Sequence, residues 1–205
     1  MLHVYGLGAA HIDAGATRIT PAAAKRFGLL LYLAAEPGQR APRAVLLDLF
    51  FPRMATGNAR HGLRELLYQV RQSGVQIDGD AHVVEIAAEA VRSDWNDAME
   101  ATQLDASVLR AAAGGLLPGY APVHSEAFAN WYERFRARAT VGLCDALLRE
   151  ADRAIRSGNF STGAQAARAC LVLDQSNGRA AKALATVLTI GAEDGSARRE
   201  RVGSI

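Results

Sequence analysis

Apolar and polar positions alternate in three short segments at the start of the chain, His3-Val4-Tyr5-Gly6, Ala10-His11-Ile12-Asp13 and Thr17-Arg18-Ile19-Thr20, separated by Gly8 and Ala14-Gly15. A period of two broken by glycine predicts three strands of a small antiparallel sheet. Thr20-Pro21 then supplies a cap and a proline at the first helical position, so a helix is expected from Pro21 to Glu36 with Phe27, Leu30, Leu31 and Ala34 inward. Pro37-Gly38 ends it, and Ala41-Pro42 opens a second, shorter helix that carries Val45, Leu46, Leu49 and Phe50 and stops at Pro52. A third helix follows over residues 58–73. Two β-prone runs, Val75–Asp78 and His82–Ile86, flank Gly79-Asp80 and read as a hairpin.

The third helix has the sharpest pattern. At about 100° per residue, Leu63, Leu66, Leu67 and Val70 fall on one side, and His61, Arg64, Glu65, Tyr68 and Gln72 on the other, with Gln69 and Arg71 at the flanks. The first face can dock on a small core. The second offers guanidinium, imidazole, amide and phenol groups, which reach phosphates and base edges in a major groove. An ordinary charged surface helix has the same periodicity, so the neighbouring elements matter. Three helices with the third turned outward, followed by a hairpin, form the layout of a winged helix-turn-helix, and a sheet ahead of the first helix marks the OmpR type.

Beyond Asp94-Trp95 the strand pattern ceases. Asp97–Ala101 and Leu104–Ala113 read as short helices, and Leu117-Pro118-Gly119-Tyr120-Ala121-Pro122 as a turn-rich joint. Ser125 caps a long apolar stripe of Phe128, Trp131, Tyr132, Phe135, Leu143, Leu147, Ala151 and Ile155, either one helix of about thirty residues or two broken near Gly142. Residues 146–177 fit a tetratricopeptide unit, with Gly158 in the turn and the small residues Gly163 and Cys170 at helix crossings. A last helix from Arg179 to about Ile190 supplies half of a second unit. One and a half units leave an apolar face uncovered, with Leu184, Val187, Leu188 and Ile190 its expected residues.

Net charge is only +2, yet six arginines (40, 43, 53, 60, 64, 71) stand against Asp48 and Glu65 between positions 40 and 71. This local excess suits an electrostatic footprint on DNA, or a solvated charged face. Cys144 and Cys170 lie among Ala and Leu and read as buried free thiols of a reducing cytoplasm. No apolar run approaches a membrane span. Gly6-Leu7-Gly8 lacks the third glycine of a dinucleotide site, and no phosphate loop is visible. The five histidines (3, 11, 61, 82, 124) have no metal-ligand spacing. The residues thus point to no catalytic constellation and no cofactor.

Lys25-Arg26-Phe27-Gly28-Leu29-Leu30-Leu31-Tyr32-Leu33-Ala34, Ala41-Pro42-Arg43 leading to Leu49-Phe50-Phe51-Pro52, Gly62-Leu63-Arg64 continuing to Val70-Arg71, and Leu117-Pro118-Gly119-Tyr120 with Trp131 together resemble the SARP-type bacterial transcriptional activators. The resemblance covers most of residues 2–190. It implies a mainly α chain with a small β component: an OmpR-type winged-helix DNA-binding domain (1–94), connecting short helices and turn (95–124), a tetratricopeptide-like bacterial transcriptional activator module (125–192) and a flexible tail (193–205). It implies a cytoplasmic, sequence-specific regulator of double-stranded DNA whose second module contacts RNA polymerase or a second copy in a homodimer. The expected DNA-binding set is Arg43, Arg60, His61, Arg64, Glu65, Tyr68, Gln69, Arg71, Gln72 and His82. Glu65 on such a face either accepts from a cytosine amine or weakens binding. The alternative function is a non-enzymatic helical adaptor acting only through protein contacts.

Overall fold

The computed structural model describes residues 1–122 and 124–202, with side chains at all of these except Ala88 and 191–202. It is mainly helical, 61% helix, with a small sheet component. The chain divides into two compact units, the first formed by Met1–Asp97 with Leu117–Ala139, the second by Ala98–Leu116 with the chain from Thr140 onward.

In the first unit, β1 (Leu2–Tyr5), β2 (His11–Ala14) and β3 (Thr17–Ile19) form the expected antiparallel meander, with Val4 opposite Ile12 and Ile12 opposite Ile19. Leu2, Val4, Ile12, Ala14 and Ile19 are buried on one face, as a period of two requires. The helix behind the sheet, α1 (Ala24–Ala35), begins three residues later than the sequence predicts. The Ala23 N–H donates to the Thr20 carbonyl at 2.9 Å, so Pro21 occupies the second position of a turn, where its fixed φ is equally at home. Every residue from Phe27 to Ala34 is buried. A single turn at Pro37–Gln39, with Gly38 at φ 71°, reverses the chain.

Two strands escaped the sequence reading. β4 (Arg40–Pro42) contains a proline and reads as a helix start, and it pairs antiparallel with β6 (Val83–Glu85), whose other edge holds β5 (Asp78–Gly79). β7 (Val91–Ser93) is too short to show alternation and adds to the first sheet parallel to β1. Between them lie α2 (Arg43–Phe50) and α3 (Thr56–Gln72). Asp94 opens α4 (Asp94–Glu100), and its carboxylate accepts the N–H groups of Gly6 and Leu7 at 2.8 and 3.0 Å, pinning the end of β1.

The long helix α6 (Glu126–Arg156) is unbroken. Ser125 caps it, accepting the Phe128 N–H at 3.0 Å and donating to the Leu49 carbonyl at 2.8 Å. Trp131 and Phe135 fall within the stretch 125–192 that the sequence assigns to the tetratricopeptide-like module. They belong instead to the core of the first unit, where Trp131 lies 4.7 Å from Tyr32 and donates to Glu36 at 2.7 Å, and Phe135 meets Trp95 edge-on at 5.4 Å. His124 packs against Phe50 and Phe128 at 5.1 and 4.8 Å, in space left by Gly28.

In the second unit, Asp105 caps α5 (Ala106–Ala112), accepting from Ser107 and Val108. The later part of α6 meets α7 (Phe160–Leu173), which packs in turn with α5 and α8 (Gly178–Val202). Gly142 does not break α6, and its missing side chain leaves room for the Met99 sulfur. Gly163 of α7 faces Ile155 and Val187, so small volume is needed there. Glu150 is buried, accepts the Leu104 N–H at 3.2 Å and pairs with Arg153. Cys144 and Cys170 are buried free thiols, and burial pushes the Cys144 thiol up to about 12. Of the expected uncovered face, Val187 is buried, Leu184 and Ile190 are half-buried and Leu188 is 55% exposed. α8 runs beyond Ile190, since Ala, Glu and Arg dominate there and no proline intervenes. Of the expected tail, residues 203–205 lie outside the described residues.

His124 makes stability depend on pH. Burial first, and the Lys25 ammonium second, hold its imidazole down at about 4 against an ordinary 6.5. The folded form therefore refuses a proton that the unfolded chain binds, so stability is full above the ordinary value and falls as pH drops towards the folded one. Denaturant midpoints measured near pH 7 and near pH 5 should differ in the wild type and differ less in His124→Leu. An equal loss in both proteins would remove His124 as the cause.

Candidate nucleic-acid interface

α3 is divided as the periodicity requires. Ala59, Leu63, Leu66, Leu67 and Val70 are buried, while Arg60, His61, Arg64, Glu65, Tyr68, Gln69, Arg71 and Gln72 are exposed. Tyr68, at 55% exposure, is a large aromatic ring held in water by its place on the helix. Gly62 sets how closely α3 approaches its neighbour. A Cβ at this position would stand 2.7 Å from the Phe51 ring, so the absence of a side chain lets Phe51 pack flat against the helix.

Arg43 ties α2 to the β5–β6 hairpin. Its N–H donates to the His82 carbonyl and its Nε to the Asp80 carbonyl, both at 2.7 Å. Asp80 in turn accepts the N–H groups of His82 and Val83 at 2.6 and 2.8 Å, bonds that hold its carboxyl below the usual range. With the Asp80 N–H donating to the Val83 carbonyl at 3.1 Å, five hydrogen bonds fix the tip. Arg71, at the far end of α3, donates from Nε to the Ile77 carbonyl at 3.2 Å and fixes the segment leading into β5. Gln69 donates to Glu65 at 3.1 Å, one turn apart on α3.

These elements bring four of the sequence-selected residues to one groove of about 750 Å³: Arg43, Arg60, Arg64 and His82, with Asp80 the carboxylate beside them. Pro42, Ala44, Leu47 and Leu63 form its apolar part. His61, Glu65 and Gln69 line a different groove of about 420 Å³, with Lys25 and Arg26 opposite. Gln72 and Gln69 border a third with Arg26 and Thr17. Tyr68 and Arg71 line none of these three. Lys25 and Arg26 were outside the sequence-selected set. Their signal was available, because two adjacent cations precede the buried run of α1. Lys25 also lies 4.1 Å over the Phe51 ring.

Among the described residues, no three His, Cys, Asp or Glu side chains are placed to hold a metal ion, and no helix is long and apolar enough to cross a membrane. No protein family, curated protein or solved structure matches the chain.

Gly62→Ala tests the placement of α3. Helix propensity favours alanine by about 1 kcal/mol, but overpacking against a rigid ring costs about 1–3 kcal/mol. The ring cannot swing aside as a flexible chain end would, so the variant should lose stability. Gly57→Ala, on the same helix with nothing within 4 Å of the added carbon, should lose none. Thermal unfolding of both variants measures this. Equal midpoints would show that Phe51 does not set the helix approach.

Proposed function

We propose that this chain is a non-enzymatic, sequence-specific DNA-binding transcriptional regulator, an activator similar to the SARP type. In this reading α1 to α3 and the hairpin act as a winged helix-turn-helix, α3 enters the major groove and the hairpin tip follows the backbone beside it. The observation that carries it is the outer face of α3, eight exposed polar and aromatic side chains set on a buried apolar stripe, next to a hairpin already fastened in place. Arg43, Arg60 and His82 suit phosphate contacts. His61, Arg64, Tyr68 and Gln72 suit base edges, and the linked Glu65 and Gln69 suit an exocyclic amine. The second unit would serve as a tetratricopeptide-like module meeting RNA polymerase or a second copy.

One observation favours the adaptor reading instead. Val172 and Leu188 are 50% and 55% exposed on the second unit, and such side chains serve protein contacts whether or not α3 binds DNA.

Fluorescence anisotropy with duplex DNA from upstream of the protein's own gene separates the two. The DNA reading expects affinity to fall steeply with salt. Arg64→Ala should then either cost about 1–3 kcal/mol and relax specificity, if it reads a base, or lower the salt slope by roughly one, if it meets a phosphate. A folded Arg60→Ala/Arg64→Ala protein that binds as well as the wild type would take α3 out of the interface, and the adaptor reading would stand.

A further inference from the structure

The groove between α2, α3 and the hairpin tip has a composition that a DNA backbone alone does not call for. Three guanidinium groups, Arg43, Arg60 and Arg64, line it with one carboxylate, Asp80. Among the described residues none of the three arginines has an acidic side chain within ion-pair distance; the ion pairs lie at Asp13, Asp97, Glu133 and Glu150. Arg60 and Arg64 are one turn apart on α3, so their side chains leave the helix about 6 Å apart on one face, close enough for one anion to bridge. Asp80 is charged and already occupied by two backbone N–H groups. The three guanidinium groups against the one carboxylate give the groove an excess of two positive charges. Its apolar wall is made mainly by Pro42, Ala44 and Leu47, and its volume of about 750 Å³ is that of a small-molecule site. A phosphodiester of DNA carries one charge and needs no apolar wall.

We infer that this groove binds a small organic phosphate monoester, a dianion with an apolar body. The phosphate sits between Arg60 and Arg64 and the body lies on Pro42, Ala44 and Leu47. The dianion matches the excess charge, and the planar guanidinium forks match its oxygens. Arg43, whose Nε is bonded to the hairpin, keeps its terminal N–H groups for the same anion. The ligand site stands without the DNA reading. One consequence rests on that reading: a ligand holding Arg60 and Arg64 competes with DNA for the same groups.

The test is calorimetric titration of the full chain with phenyl phosphate, inorganic phosphate and phenol. One saturable site is expected for phenyl phosphate, about tenfold tighter than inorganic phosphate, and none for phenol. Arg60→Ala removes a cation, and Ala44→Glu puts a carboxylate on the wall at an exposed position. Each should weaken phenyl phosphate about tenfold with thermal unfolding unchanged. Equal affinity for phosphate and phenyl phosphate, or titrations unaltered in both folded variants, would overturn the proposal. Duplex DNA bound alongside a flat phenyl phosphate titration would reject the ligand site alone. Phenyl phosphate bound in a protein with no DNA affinity would reject the DNA reading and uphold the site.

Discussion

The first unit is organised by the need to keep α1 dry. Phe27 to Ala34 are buried without a break, so this helix has no solvent face over more than two turns. A helix apolar all round needs a neighbour on every side. The sheet covers one, through Leu2, Val4, Ile12 and Ile19, and the buried stripe of α3 adds another. Tyr32 and Phe27 are met by Trp131 and Tyr120 at 4.7 and 5.0 Å. The aromatic residues of 117–139 therefore join a domain whose other members end at Asp97. Hydrophobic coverage, and not chain continuity, decides membership.

The same demand places the polar face of α3. Leu63, Leu66, Leu67 and Val70 must turn towards α1, so Arg60, Arg64 and Tyr68 must turn away. The charge on that outer face is local. The chain as a whole carries +2, while the groove beside α3 gathers three arginines against Asp80. Arg43 and Arg71 each give a donor to backbone carbonyls of the hairpin region. They hold geometry at the two ends of the face while Arg60 and Arg64 stay uncommitted. This division of labour costs little, because each fixed donor also satisfies a carbonyl that would otherwise need water.

Much of this was legible in the sequence. The meander, α2, α3 and the split of α3 into buried and exposed faces follow from periodicity and from turn residues, and so does the presence of a hairpin, although its first strand is Asp78–Gly79 and not Val75–Asp78. β4 and β7 did not, because three-residue strands have too few positions to show alternation, and their pairing partners lie far along the chain. The proline of Thr20-Pro21 suits a turn as well as a helix start, which shifted α1. Spacing allows α6 to be one helix or two at Gly142; it runs unbroken, and the glycine is needed there because Met99 packs on it, a contact that spacing cannot disclose. The face of α3 could be listed residue by residue. Its sorting into separate grooves could not, because that depends on where the Arg43–Asp80 bonds hold the hairpin. His124 was passed over as a histidine without ligand spacing, yet its burial makes it one of the most perturbed groups in the fold.

The course of the chain through its two units also bears on heredity. The first unit is left at Asp97, re-entered at Leu117 and left again inside α6. A recombination that joined a foreign partner just after α4 would transmit the outer face of α3 without the aromatic residues that shield α1. The seam at which the two units of this chain can be separated lies near Ala139, in the middle of a helix, where an exchange of segments is least forgiving. Lineages that trade the second half must either keep the first turns of α6 unchanged or rebuild their aromatic cover from another source.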